Sequence, residues 1–130
     1  MSLWQVLVDG KDLDKVAIDA PDAKLTYAGL IDAAAVAAEA LSHRGLRPGD
    51  RVAYLGLNSA ALVVLVFACA RAGLILVPLN WRLAAEELSW ILEDADPALI
   101  VADPVHWDVA RAISAHREIT QAHPFAVRRG

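Results

Sequence analysis

An α/β fold built on a parallel sheet, with βαβ crossovers and helices on both faces, is the architecture this sequence predicts. Three observations carry it. The runs Val52–Leu55, Leu74–Val77 and Ala98–Ala102 are continuously apolar, as strands are when both of their faces are covered. The segments between and after them repeat apolar residues at helical spacing. The joints are a few residues long, and strand–helix–strand units of that kind wind right-handedly into a parallel sheet. Length agrees, since 130 residues form one domain able to bury roughly two-thirds of its unfolded surface.

Taken in order, residues 1–15 read as a short N-terminal leader, in which Met1-Ser2-Leu3-Trp4-Gln5 lacks the basic start and long apolar stretch of a signal peptide. Val16–Ala20 and Lys24–Thr26 are short strands around the turn Pro21-Asp22-Ala23. Thr26 caps a helix whose Leu30, Ala34, Ala37 and Leu41 share one face. His43 and Arg44 lie in its last turn, Gly45 takes the left-handed position after it, and Leu46 folds back. Arg47-Pro48-Gly49-Asp50 reads as a type II turn, with proline fixing φ at the second position and glycine supplying the positive φ of the third.

After the first apolar strand, Asn58 or Ser59 caps a helix that runs to about Ala72 and closes on Gly73. It is apolar almost all round, which implies burial on more than one side. A third helix spans about Ala85 to Asp94, with Leu88, Ile91, Leu92 and Ala95 inward. Asp103-Pro104 opens a last helix, aspartate capping and proline at the first position, with Val105, Val109, Ala112 and Ile113 as its apolar side. The α/β body therefore covers residues 16–115. Residues 116–130 form either a further strand around Ile119 or a tail, partly ordered.

Composition narrows the functional classes. The hydrophobic share is 57%, against about half for ordinary soluble domains, and mean hydropathy is +0.40. This excludes a disordered chain, and the excess belongs either to the core or to a face meant to be covered by something else. With 12 basic and 16 acidic residues the net charge is −4, and no basic stripe exists for a phosphate backbone, so nucleic acid is not expected as a partner. The apolar segment Ala60–Leu79 is interrupted by Arg71, Gly73 and Pro78, which argues against a membrane span. A single cysteine, Cys69 within an apolar run, reads as a buried thiol in a reducing, cytoplasmic setting.

Templates for chemistry find little. Gly10-Lys11-Asp12 lacks the rest of a phosphate loop, no G-x-G-x-x-G follows a strand, and no nucleophile elbow occurs. His43, His106, His116 and His123 have no partner at i+3 or i+4, so they read as surface or capping residues rather than metal ligands. Glu86, Glu87, Glu93, Asp94 and Asp96 surround one helix, where the first pair suits a helix N-terminus and the others a solvated face. Trp81, Trp90 and Trp107 raise the question of base stacking. Asn80-Trp81-Arg82 stands out because it follows a strand at its carboxyl end, where open α/β sheets place ligands. The plainer reading is a loop locked by asparagine's own backbone bonds.

Thr26-Tyr27, Arg47-Pro48-Gly49-Asp50-Arg51-Val52, Asn58-Ser59, Arg71-Ala72-Gly73, Val77-Pro78-Leu79-Asn80 with Trp81-Arg82-Leu83, and Glu87-Leu88 with Ile91-Leu92 together resemble the first section of the adenylate-forming enzymes. Asn80-Trp81-Arg82-Leu83 is more similar to the acyl-CoA synthetase branch than to peptide-synthetase adenylation domains or luciferases. The resemblance covers roughly Val16 to Ala115 and implies a partial subdomain of those enzymes' large N-terminal domain. It implies a two-step reaction: a carboxylic acid attacks the α-phosphate of ATP with Mg²⁺, and the thiol of CoA then displaces AMP. In such families a Ser/Thr/Gly-rich loop ending in Pro-Lys-Gly, a hinge aspartate and a late lysine complete the site, and none occurs in this sequence.

No catalytic, cofactor-binding or metal residue is therefore carried over. The matched positions Thr26, Tyr27, Pro48, Gly49, Asp50, Arg51, Asn58, Gly73, Pro78, Asn80, Trp81, Arg82 and Glu87 are expected to be scaffold. Two departures from the family bear on stability: Gly29 cannot close a capping box on Thr26, and Ala84 stands where a hydroxyl cap is usual. The expectation is a piece of an acyl-CoA synthetase, silent by itself, needing no cofactor alone and ATP, Mg²⁺ and CoA as the whole enzyme. The alternative is a non-catalytic module that binds itself or a partner. Its expected partners are the remainder of the enzyme or a second copy in a homo-oligomer.

Overall fold

In a computed structural model that describes residues 2–10 and 12–122, the chain runs α1 (Leu3–Val8), β1 (Val16–Asp19), β2 (Lys24–Thr26), α2 (Tyr27–His43), β3 (Arg51–Leu55), α3 (Ala60–Ala72), β4 (Ile75–Leu79), α4 (Ala85–Ala95), β5 (Leu99–Ala102), a 3₁₀ turn (Pro104–His106), α5 (Trp107–Ile113) and β6 (Glu118–Gln121). β1 and β2 form an antiparallel hairpin. The main sheet is parallel, in the order β4-β3-β5-β6.

Two of the continuous apolar strands, β3 and β5, divide their side chains between two cores, whereas the third, β4, is an outer strand and leaves Ile75 exposed, contrary to cover on both faces. Val52 and Tyr54 of β3, with Leu99 and Val101 of β5, face α2 and α3. Ala53 and Leu55, with Ile100 and Ala102, face α4 and α5. All eight of these residues are buried, so an unbroken apolar run is what each strand requires. Right-handed connections put α3 on one face when the chain steps from β3 out to β4, and α4 and α5 on the other when it steps back to β5 and β6. α3 is apolar all round because it is wedged between α2, α1 and the sheet.

Local chemistry sets the boundaries. Thr26 Oγ1 accepts the Gly29 N–H at 3.0 Å, and Leu30, Ala34, Ala37 and Leu41 of α2 are all buried. The helix ends in a Schellman motif, with the Gly45 N–H on the Ser42 carbonyl and the Leu46 N–H on the Leu41 carbonyl. Ser59, rather than Asn58, caps α3 by accepting the Leu62 N–H at 3.1 Å. Both amides at the start of α3, of Ala60 and Ala61, also donate to the Asp22 carboxylate, at 2.9 and 3.1 Å. The hairpin turn thus supplies a second, remote cap.

One open alternative resolves and one further expectation is corrected. Of the two alternatives for the segment around Ile119, the strand is the one found: Glu118–Gln121 pairs in parallel with β5 as a fourth strand, and the residues beyond Ala122 lie outside the described ones. The last helix presents a different face. Ala110 and Ile113 are buried, Val109 and Ala112 are exposed, and Val105 is 75% exposed. The opening turn Pro104–His106 is 3₁₀, with three residues per turn instead of 3.6, so the helical phase counted from Asp103 does not carry through it.

Candidate functional site

β3 and β5 are neighbours, yet the chain leaves them toward opposite faces of the sheet. Their carboxyl ends therefore flank the topological switch point, the place where open α/β sheets form a ligand crevice. Here the chain's own Asp103 bridges the two loops. Asp103 Oδ2 accepts the Leu57 N–H at 2.9 Å, Oδ1 accepts the His106 backbone N–H at 2.9 Å, and His106 Nδ1 lies 2.7 Å from the same oxygen. A carboxylate only accepts, so Nδ1 carries the proton in that bond. The Asp103 N–H donates in turn to the Leu55 carbonyl.

Gly56 is the residue this packing demands. A Cβ there would stand 2.7 Å from Tyr54 Oη and 2.8 Å from Asp103 Cγ. The Tyr54 hydroxyl donates to the Leu57 carbonyl at 2.8 Å and lies 3.3 Å from Ser59 Oγ. Burial pushes its pKa up; the Ser59 contact opposes that, while the Asp103 and Asp22 carboxylates add to it. Tyr54 is thus held as a neutral donor bracing the loop.

The loop after β4 joins the same end of the sheet. Asn80 Oδ1 accepts the Arg82 N–H at 3.0 Å and the Asn80 carbonyl accepts the Leu83 N–H, an asparagine-closed turn. Arg82 lays its guanidinium 4.5 Å above the Trp81 ring, and the His106 ring sits 5.4 Å from Trp81, tilted by 47°. Asp103, His106, Trp81 and Arg82 thus make one continuous path linking three loops. With Arg82 over its ring and His106 against it, Trp81 is built into the loop rather than offered as a free stacking platform.

At the opposite end, Arg47–Val52 acts as a clasp. The Asp50 N–H donates to the Arg47 carbonyl at 2.9 Å, and Gly49 has φ 92°, the geometry of a type II turn. Asp50 Oδ2 closes it by accepting the Arg47 N–H. The Gly49 N–H reaches the Gly73 carbonyl at 2.8 Å, tying the turn to the end of α3, and Pro48 packs by Gly73. Arg51 donates to the Ala95 carbonyl at 3.0 Å and satisfies the end of α4. Beside the clasp is an open cleft of about 440 Å³ lined by residues of both charges, including Asp50, Arg51, Asp96 and Arg117. Asp96 and Arg117 pair across it at 3.1 Å.

The remaining positions are structural in geometry. Glu87 Oε1 accepts the Ala84 N–H at 3.3 Å, but alanine returns no acceptor, so α4 has half a capping box. The Tyr27 N–H donates to the Lys15 carbonyl, and Pro78 lies on the outer strand β4. Asn58 is exposed beside the Ser59 cap. Glu86, Glu93 and Asp94 are exposed, and among the described residues no group of three His, Cys, Asp or Glu side chains could hold a metal ion. His43 and His116 are exposed, and His123 lies outside the described residues. Cys69 is buried, and burial pushes its thiol up to about 12. Among the described residues no helix is long and apolar enough to cross a membrane. The bridges from Asp22 to α3 and from Asp103 to Leu57 were missed in the sequence, where they span 38 and 46 residues.

The sheet is a parallel, doubly wound α/β sheet whose carboxyl-end crevice is bridged by the chain's own Asp103. The comparisons name the family. Residues 6–128 match the family model for AMP-binding enzymes, and the chain belongs to that family, as an N-terminal part of an adenylate-forming enzyme. It is 44% identical over 93 residues to feruloyl-CoA synthase of Amycolatopsis sp., covering 72% of this chain and 19% of that protein. Its fold is similar to ATP-bound MatB of Rhodopseudomonas palustris, with TM-score 0.81 and 35% identity over 93% of this chain and 25% of that one. It is similar also to the N-terminal domain of FACL13 of Mycobacterium tuberculosis, with TM-score 0.73 and 32% identity over 80% of this chain and 28% of that one. The chain spans about a fifth of the length of the curated relative it matches.

Proposed function

We propose that this chain is the scaffold portion of an acyl-CoA ligase and is catalytically silent alone. In the whole enzyme a carboxylate would attack the α-phosphate of ATP with Mg²⁺ present, pyrophosphate would leave, and the CoA thiol would then displace AMP from the acyl-adenylate. This chain's share is to hold the carboxyl-end loops in place as one wall of the pocket, in the cytoplasm. The observation that carries the reading is the bridged switch point. The Leu57 and His106 amides, which a phosphate could otherwise use, already donate to the Asp103 carboxylate, and Gly56 packs closely against Asp103 and Tyr54. The nucleotide would be gripped by polypeptide from elsewhere in the enzyme, and the exposed apolar and edge surface of this portion would be covered by that polypeptide or by a second copy.

The direct test is pyrophosphate release by the purified chain supplied with ATP, Mg²⁺, CoA and either a fatty acid or a hydroxycinnamic acid. No turnover above the protein-free rate is expected. Sustained turnover would end the silent-scaffold reading. A second reading is a non-catalytic module that self-associates, for which the β6 edge, paired with no further strand among the described residues, would be available.

A further inference from the structure

We draw no further inference here: the strongest candidate, the open cleft of about 440 Å³ at the amino end of the sheet beside Arg117, is lined by groups of both charges and already pairs its buried guanidinium with Asp96, so nothing in the structure shows what would occupy it.

Discussion

Asp103 carries more of the carboxyl-end architecture than any other side chain described above, because one carboxylate serves a strand-end loop, a helix start and a histidine ring. Hydrogen bonds to a charged group contribute about 1.5–3 kcal/mol each, and donors left unpaired cost further. Asp103→Ala is therefore expected to lower unfolding free energy by about 3 kcal/mol, read as a lower urea midpoint with unchanged slope. Gly56→Ala forces a methyl against Tyr54 and Asp103 and should cost about 1–3 kcal/mol, as overpacking does; an unchanged melting temperature would contradict the close approach. Cys69 supplies a pH prediction. Its folded pKa is raised from 9.0 to about 12, so its contribution to stability is complete below pH 9 and is lost as pH rises toward 12. Denaturant midpoints should fall over that interval, and Cys69→Ala should flatten the fall. A thiol reagent at neutral pH should react with Cys69 only on unfolding.

At the scale of elements, the ends of helices decide what is firm. α2 has a threonine cap and a Schellman end, and α3 has a serine cap reinforced by Asp22, whereas α4 begins on Ala84 with only the Glu87 half of a box. Ala84→Ser should complete that box and raise stability by about 0.5–2 kcal/mol, visible as a higher midpoint in a thermal melt. These same elements show what a sequence can disclose. The α2 face, the Arg47–Asp50 turn and the burial of Cys69 were legible because each depends on residues within a turn or two of one another. β6 was left open between strand and tail because four residues at a sheet edge are half polar by position. The inward face of α5 was misjudged because its first turn is 3₁₀. The site was least legible: Trp81 and His106 come from separate loops, and Asp103 acts across 46 residues on Leu57. Local periodicity holds no record of such pairings.

For the whole molecule, we propose that the sheet serves as one wall of a pocket. Its switch point is bridged by Asp103, the chain matches about a fifth of a curated relative's length, and among the described residues β6 pairs with no further strand while the β4 edge carries Pro78. Each of these features suits a segment that shapes a pocket completed by other polypeptide. The carboxyl-end loops are stiffened by their own side chains, so they need no ligand to become ordered, and adding nucleotide should leave their stability unchanged. The most direct measurement is titration calorimetry of the purified chain with ATP and Mg²⁺. The account predicts no saturable heat and no shift in melting temperature. A stoichiometric binding isotherm, accompanied by a rise in melting temperature, would contradict it.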